Sequence, residues 1–301
     1  MKTGFVSLIG RPNAGKSTLL NRLVGTKLAI VSEKPQTTRT RILGVRNYPE
    51  GQAIFIDTPG IHRPLHRMNV RMVDAAVESM AQADVVGLVT DSHASAGKGD
   101  RFVLDLLDRV KAPVVLILNK IDLISKPSLL PLIDSYRRLH EFADIVPVSA
   151  LTGDNVDRLE RVLLDRLPES EPLYPSDTLT DQPEQFFAAE MVREQVLAYT
   201  HDELPFTTAV VVDQFEETAP SGDEERGLLR IFCSILVERS SQKPIVVGRR
   251  GHGIKQIGTA ARLELERFFG ARVYLDLRVK VREGWREDAR ALNGIGIRGS
   301  R

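Results

Sequence analysis

The chain has 301 residues but a single cysteine, Cys233, so it cannot form an internal disulfide. No apolar stretch reaches the roughly 20 residues that a membrane-spanning helix needs. The N-terminal sequence MKTGFVSLIG lacks the long apolar core and the small-residue cleavage site of a signal peptide. These absences predict a soluble intracellular protein. Cys233 lies in the alternating run RIFCSILV, which predicts a buried strand residue rather than a nucleophile.

An excess of charge of one sign is also missing, because 41 basic residues stand against 40 acidic ones. Net charge therefore does not identify a partner, and a nucleic-acid surface would have to come from local clustering of basic residues. The chain is too long for one compact core, which predicts two domains.

The first half of the chain alternates short β-branched runs with segments of helical periodicity. The predicted strands are Phe5–Ile9, Ile42–Val45, Ala53–Ile56, Val85–Val89, Val114–Leu118 and Ile145–Val148. The predicted helices are Ser17–Val24, Asn69–Gln82, Asp100–Val110, Leu129–His140 and Val156–Leu167. Strands as uniformly apolar as PVVLIL are typical of a sheet covered by helices on both faces. We therefore expect a doubly wound α/β domain with a mostly parallel sheet.

The composition changes after Pro168, where the sequence becomes rich in proline and loses its apolar period. This predicts a linker at residues 169–185 between domains at residues 1–168 and 186–301. The order of elements in the second domain, α-β-β-α-α-β, predicts a small α+β fold. Its predicted elements are a helix at Phe187–Leu204, strands at Thr207–Phe215 and Leu228–Val237, a helix ending at Phe269, and an alternating strand at Val273–Val281.

The stretch GRPNAGKST lies between the first strand and the first helix, which is the context that the nucleotide-binding pattern G-x-x-x-x-G-K-S requires. Its glycines let backbone N–H groups surround phosphate oxygens, and the helix adds its positive N-terminal end. Lys16 would reach the β- and γ-phosphates, and Ser17 would bind Mg²⁺. The predicted loop comprises Gly10, Arg11, Pro12, Asn13, Ala14, Gly15, Lys16, Ser17 and Thr18.

The motif IDTPG follows the third predicted strand and supplies a second part of a nucleotide site. Asp57 would hold the Mg²⁺ shell, and the Gly60 N–H would meet the γ-phosphate when the loop closes. Thr58 and Pro59 lie between them and are included in the predicted site.

The motifs LNKID and VSAL follow the fifth and sixth strands and predict recognition of guanine. Asn119 lies where a base would bind, and Asp122 can accept hydrogen bonds from the N1–H and exocyclic amine of guanine. Adenine lacks this donor pair, so a buried carboxylate would be left unsatisfied by it. Lys120 can pack along the base plane, and the Ala150 N–H can approach the guanine O6; Ser149 and Leu151 flank it. The four motifs, each at the carboxyl end of a strand, predict a GTPase.

Further positions outside these assignments bear on hydrolysis. Thr38 is the preferred residue for completing Mg²⁺ coordination in a switch loop, with Thr37 as the alternative and a solvated hydroxyl possible for either. Ile61 follows DTPG where many GTPases carry a water-orienting glutamine, so we expect slow intrinsic hydrolysis. Asn13 either helps to hold a monovalent cation such as K⁺ against the phosphates or simply shapes the turn.

In the second domain, KPIVVGRRGHGIKQIG contains a G-x-x-G loop that lets the backbone clamp the phosphates of a single RNA strand, as in KH modules. An apolar groove beside it would be lined by Ile245, Val246, Ile254 and Ile257. The alternatives are a structural turn with solvated arginines or, less favoured because no Lys-Ser follows, another phosphate loop. The predicted RNA-binding residues are Lys243, Val247, Gly248, Arg249, Arg250, Gly251, His252, Ile254 and Lys255.

Taken together, these motifs resemble the Era family of bacterial GTPases over essentially the whole chain. The resemblance rests on GRPNAGKST, PQTTR, DTPGIH, NKID and VSAL, then on ELPF, VVGRRGHGIKQIGTAAR and a terminal GW. It implies a P-loop GTPase domain followed by a type II KH domain, with Mg²⁺ as cofactor. Two features stand apart: Pro244 removes a backbone donor before the GxxG loop, and an acidic insert occupies residues 216–225.

The resemblance further implies an assembly factor for the small (30S) ribosomal subunit. Members of the family bind the 3′ end of 16S ribosomal RNA through the KH groove in the GTP state and leave after GDP is formed. They are mainly cytoplasmic, with some peripheral association with the inner membrane, and we expect a monomer.

Two other functions fit parts of the sequence. The chain could be a nucleotide-gated binding module whose hydrolysis is incidental, or an ATP-using enzyme acting on RNA. Asp122 argues against the second, since adenine lacks the donors that this carboxylate would accept.

Overall fold

The structure is a computed structural model that describes residues 1–34, 36–94, 98–108, 110–201, 204–220 and 226–299. The chain forms two compact units, one made mainly of residues 1–31 and 36–181 and the other mainly of residues 182–298. Glu203 of the ELPF motif and residues 221–225 of the predicted acidic insert lie outside the described residues. The first unit carries the four nucleotide motifs, and the second carries the GxxG loop.

The first unit is built on a six-stranded sheet with the strand order β2-β3-β1-β4-β5-β6. Its strands are β1 Lys2–Ile9, β2 Ile42–Tyr48, β3 Gly51–Asp57, β4 Val85–Asp91, β5 Val114–Asn119 and β6 Asp144–Pro147. Neighbouring strands are parallel except for β2 and β3, which pair antiparallel. The predicted doubly wound, mostly parallel sheet is confirmed.

The helices of the first unit follow the strands in the expected alternation. They are α1 Lys16–Val24, α2 Arg67–Gln82, α3 Lys98–Leu107, α4 Lys126–Arg137 and α5 Val156–Asp165, with a short 3₁₀ helix at Ile121–Leu123. Their ends differ from the predicted ones by a few residues. For example, α4 begins three residues before the predicted Leu129, because Pro127 is accommodated in a first helical turn that needs no N–H there.

Helices on both faces bury the central strands completely, since every residue of β3 and β5 is buried. This explains why their central residues, Ala53–Ile56 and Val114–Leu118, are continuously apolar rather than alternating with polar ones. The parallel strands end at one edge of the sheet, and the nucleotide motifs follow the ends of β1, β3, β5 and β6 there.

Residues 169–181, which were predicted to begin the linker, follow the antiparallel edge of this sheet. The Gln52 Oε1 atom accepts the backbone N–H groups of Leu173 and Tyr174 at 2.9 and 3.0 Å. The Val45 N–H donates to the Leu179 carbonyl at 2.9 Å. The last of these bonds satisfies a backbone N–H of the edge strand β2, and the first two hold the segment against β3. The predicted domain limits stay predictions.

The second unit contains a three-stranded sheet with the order β7-β8-β9, in which β7 pairs antiparallel and β9 parallel to β8. Its strands are β7 Ala209–Glu217, β8 Leu229–Val237 and β9 Val273–Val281. Its helices are α6 Glu184–Tyr199, α7 Leu204–Thr207, α8 Lys243–Val247, α9 His252–Phe269 and α10 Ala289–Gly294. The predicted α-β-β-α-α-β order is confirmed, with α7 and α10 added.

The first helix of this unit ends earlier than predicted. Helix α6 stops at Tyr199 rather than continuing to Leu204, because Thr200 is extended, with φ −103° and ψ 156°. The Thr200 hydroxyl donates to the Val196 carbonyl at 2.7 Å, so it supplies a hydrogen bond to a carbonyl of the last turn of α6.

Burial along β8 and β9 follows the sequence pattern in part. Cys233 is buried as predicted, and burial raises the pKa of its thiol to about 12, which removes it as a nucleophile. On β9, Val273 and Val279 are buried, but Leu277 is half-buried and Val281 is 40% exposed. The predicted apolar face of β9 is therefore only partly covered. None of the described helices has the length and apolar character needed to cross a lipid bilayer.

Candidate nucleotide and RNA sites

The P-loop adopts a conformation that depends on its glycines. Gly15 has a φ of 91° and ends the loop immediately before α1. A Cβ at Gly15 would lie 2.2 Å from the Asn119 Nδ2 atom, so no larger residue fits. Asn13 also has a left-handed backbone, with a φ of 62°, which asparagine tolerates better than most residues.

Lys16 lies at the start of α1 and is buried in the loop. Its Nζ atom donates to the Arg11 carbonyl at 2.9 Å and to the Gly10 carbonyl at 3.2 Å. Burial lowers the pKa of Lys16 to about 8, although the nearby Asp57 carboxylate opposes this shift. The ammonium is therefore held inside the concavity that the sequence predicts for phosphates.

Three oxygen-bearing side chains from separate segments meet beside this lysine. The Ser17 hydroxyl donates to the Asp57 Oδ2 atom at 2.7 Å, and the Thr38 hydroxyl donates to the same oxygen at 3.1 Å. The Ser17 and Thr38 hydroxyl oxygens lie 2.8 Å apart. Thr38, the preferred of the two switch threonines, thus has its hydroxyl in this group.

The group fits a hard divalent cation. Asp57 is fully buried, and its Oδ1 atom has no hydrogen-bond partner among the described residues. Burial raises the pKa of Asp57, while Lys16, Ser17 and Thr38 act in the opposite direction. A buried carboxylate oxygen without a partner, next to two hydroxyls, has the ligand chemistry that Mg²⁺ prefers.

The loop after β3 packs closely on the P-loop. A Cβ at Gly60 would lie 2.7 Å from the Pro12 Cα atom, so only glycine permits this approach. The Ile61 N–H donates to the Gly10 carbonyl at 3.0 Å, and the Ile61 side chain is 1% exposed within the core around β4 and β5. Thr58 is buried and donates its hydroxyl to the Leu8 carbonyl at 2.8 Å.

Asn119 connects the P-loop with the VSAL loop. Its Nδ2 atom donates to the Ala14 carbonyl, and its Oδ1 atom accepts the Ala150 N–H, both at 2.9 Å. The expectation that the Ala150 N–H is available to the guanine O6 is therefore corrected, because this donor is already bound to Asn119. The Arg22 guanidinium, which the sequence did not indicate, holds the Ala150 and Leu151 carbonyls at 3.2 and 2.5 Å.

Asp122 lies in the 3₁₀ turn that follows β5, and it is exposed. The expectation of a buried carboxylate is therefore corrected, since no residue of this short turn is buried. Leu151 is also exposed, at 71%, whereas Ser149 is buried and accepts the Thr152 N–H at 3.1 Å.

In the second unit, the GxxG loop joins α8 to α9 through three residues with positive φ. Gly248, Arg250 and Gly251 have φ values of 72°, 51° and 78°. A Cβ at Gly248 would lie 2.6 Å from the Gly253 nitrogen, so glycine is required at this crossing. The side chains of Arg249 and Arg250 are exposed at the tip.

Pro244 does not disturb this loop, because it lies in the first turn of α8, where a backbone donor has no helical partner. The other predicted basic residues, Lys243, His252 and Lys255, are also exposed around the loop. The described residues therefore bring together the positive side chains that the sequence places near the GxxG glycines.

The predicted apolar lining needs correction. Val246 and Ile257 are 0% and 1% exposed, so they belong to the core and cannot face a groove. Ile245 is 52% exposed and Ile254 is half-buried. Leu277 of β9 is also half-buried, and its Cδ1 atom would lie 3.5 Å from a Cβ placed on Gly258, so it packs against α9.

Residues 5–120 match the family model described as 50S ribosome-binding GTPase, and residues 211–286 match that of the KH domain. The chain is 48% identical to GTPase Era of Syntrophus aciditrophicus, covering 98% of this chain and 95% of that protein. It is also 48% identical to GTPase Era of Geotalea uraniireducens, covering 98% of this chain and 97% of that protein.

The chain belongs to the Era family of GTPases. Its structure is similar to a crystal structure of Era in complex with MgGDPNP and nucleotides 1506–1542 of 16S ribosomal RNA, with a TM-score of 0.94 and 41% identity over 99% of both chains. It is also similar to a variant of Aquifex aeolicus Era bound to GDP and AlF₄⁻, with a TM-score of 0.93 and 41% identity over 99% of this chain and 100% of that one. The predicted family and fold are confirmed.

Proposed function

We propose that this Era-family GTPase is a molecular switch that binds the 3′ region of 16S ribosomal RNA through its KH domain and assists assembly of the small ribosomal subunit. The observation that carries the proposal is the meeting of Ser17, Thr38 and the unpartnered carboxylate oxygen of Asp57 beside Lys16. A similar Era has been crystallised with both MgGDPNP and 16S RNA nucleotides, which supports the pairing of the two activities.

In the nucleotide half of the switch, P-loop amides and Lys16 bind the phosphates, while Asp122 and Lys120 bind the base. Ser17, Thr38 and Asp57 would hold Mg²⁺, which when bound neutralises charge on the phosphate oxygens. Gly60 reaches the γ-phosphate with its N–H. Turnover is slow because the side chain after it, Ile61, is packed in the core and cannot orient water.

In the RNA half, the GxxG backbone clamps a single strand, and the exposed basic residues around it contact phosphates. The half-buried Ile254 and Leu277 offer an apolar surface on which bases can lie. GTP orders the loop that contains Thr38, and the resulting population shift favours the RNA-bound form.

The test measures binding of a fluorescent RNA with the 3′-terminal sequence of 16S ribosomal RNA, in GDP and in a non-hydrolysable GTP analogue. We expect tighter binding with the analogue. The double variant Arg249→Ala, Arg250→Ala should weaken binding about tenfold or more and reduce its salt dependence. Arg267→Ala is the matched control, because Arg267 is an exposed arginine of α9 that pairs with Glu264 at 3.0 Å.

Equal RNA affinity with GDP and with the analogue would contradict the switch. Unchanged affinity in the double variant would contradict the RNA site. Competition between GTP and ATP for binding tests the alternative of an ATP-using enzyme, because such an enzyme would not prefer guanine nucleotides.

We also propose that Asn13 helps to hold K⁺ against the phosphates, since its exposed side chain lies within the P-loop on a left-handed backbone. Turnover should then be faster in K⁺ than in Na⁺, and Asn13→Ala should remove the difference. Equal rates in the two salts would leave Asn13 with the role of shaping the turn.

The remaining proposals follow from the family resemblance: a cytoplasmic monomer with some peripheral association with the inner membrane. Light scattering of the purified chain tests the monomeric state, which a stable dimer would contradict. Co-sedimentation with anionic and neutral vesicles tests the membrane association, which the absence of any sedimentation would contradict.

A further inference from the structure

The carboxylate of Asp91 lies at the end of β4, outside every motif that predicts the nucleotide site. The parallel register pairs Asp91 with Asn119 at the end of β5. The next residue, Ser92, donates its N–H to the Asn119 carbonyl at 2.9 Å. Asp91 is thus placed by the sheet itself beside the NKID motif.

The two oxygens of this carboxylate have different partners. Oδ1 accepts the His93 N–H at 2.9 Å, which fixes the carboxylate to its own loop. Oδ2 accepts a hydrogen bond from the Lys120 Nζ atom at 2.6 Å. The side chains of Lys120 and Asp91 are 31% and 28% exposed, so the ion pair is partly shielded from water.

Lys120 needs such a partner, because a lysine side chain is long and flexible and loses its position easily. Its backbone is left-handed, with a φ of 64°, an unusual conformation for a residue other than glycine. Its stem runs beside the P-loop: a Cβ on Gly15 would lie 4.0 Å from the Lys120 Cε atom. The ammonium at the end of that stem is the group that Asp91 binds.

We propose that Asp91 is a positioning residue for guanine nucleotide binding, which holds the Lys120 stem beside the P-loop so that it can pack along the base. The proposal rests on the proposed role of Lys120 in the base site. Asp91 acts through Lys120 and contacts neither the phosphates nor the metal ligands. Its loss therefore affects GDP and GTP equally and leaves the chemical step unchanged.

The first experiment measures release of fluorescent GDP and steady-state GTP turnover for Asp91→Asn. Release should be about fivefold faster and KM about fivefold higher, the upper range for a partly exposed ion pair, with kcat unchanged. Asp144→Asn is the matched control. Asp144 accepts the Ile145 N–H at 2.9 Å and pairs with Arg166 at 3.2 Å, with 32% side-chain exposure. It lies at the start of β6, at the opposite edge of the sheet from the strand ends that carry the nucleotide motifs.

The second experiment combines Asp91→Asn with Lys120→Met. If Asp91 acts through Lys120, the double variant releases GDP no faster than Lys120→Met alone, and Asp91→Glu restores part of the lost affinity. Additive effects, a fall in kcat at unchanged KM, or an equal change in Asp144→Asn would overturn the proposal. Failure of the unsubstituted chain to bind GDP would instead contradict the proposed function itself.

Discussion

Raising the pH should weaken nucleotide binding, because Lys16 loses its charge in the nucleotide-free protein at an unusually low pH. The Lys16 ammonium is buried, its Nζ atom donates to two loop carbonyls at 2.9 and 3.2 Å, and burial lowers its pKa to about 8. A bound polyphosphate favours the charged form. Binding above pH 8 must therefore take up a proton, whereas binding well below it does not.

The size of the effect follows from the pKa. At pH 9, one unit above a pKa of about 8, about one molecule in ten keeps the charge, so the apparent Kd for GDP should rise about tenfold relative to neutral pH. Fluorescence titration with GDP at constant ionic strength measures this change. Calorimetry in two buffers of different ionisation enthalpy detects the accompanying proton uptake.

The control is Lys16→Arg, because a guanidinium stays charged throughout this range. Its affinity can be lower, but it should not depend on pH between neutrality and pH 9. Constant affinity in the unsubstituted protein would refute the low pKa. An equal pH dependence in Lys16→Arg would assign the effect to another group.

Three further predictions concern single side chains. Asp57→Asn removes the carboxylate that would hold Mg²⁺. GTP turnover, measured by phosphate release, should therefore fall about 100-fold or more, and nucleotide affinity should lose its Mg²⁺ dependence. An unchanged Mg²⁺ dependence would contradict the metal site. Asp122→Asn should shift preference from guanine to xanthine nucleotides, since xanthine has a carbonyl where guanine has its amine; competition that still favours GDP would contradict base recognition. Trp285→Phe removes the bond from the buried Nε1 to the Thr207 carbonyl (3.0 Å) and should cost about 1–3 kcal/mol of unfolding free energy, so an unchanged melting temperature would contradict its structural role.

The nucleotide site was largely predictable because its motifs are local. Gly10, Lys16 and Ser17 lie within a few residues of each other, and Asp57 and Asp122 each follow an apolar strand. In a parallel sheet those strand ends share one edge, so the order of motifs along the chain is enough to bring them together. The choice of Thr38 as the hydroxyl that joins them agrees with the contacts to Ser17 and Asp57.

The errors concern groups whose surroundings come from distant segments. Val246 and Ile257 are β-branched apolar residues like Ile245 and Ile254, and only helix packing decides which of them are buried. The Ala150 N–H is bound by a residue 31 positions away. Neither periodicity nor spacing reports such contacts.

The role of Asp91 could not be predicted from the sequence for the same reason. An aspartate that ends a strand is common in sequences, and nothing around it indicates a lysine 29 positions later. Its role depends on the register of β4 with β5, which sets Asp91 opposite Asn119.

By itself, the sequence determined the fold class and the family and predicted the residues of both sites, because backbone conformation and side-chain chemistry at short spacing are properties of local segments. The tertiary structure alone decided which side chains are exposed, which donors are already bound and which carboxylate holds Lys120. Those outcomes depend on packing between segments far apart in the chain, where burial and competition among hydrogen-bond partners determine the state of each group.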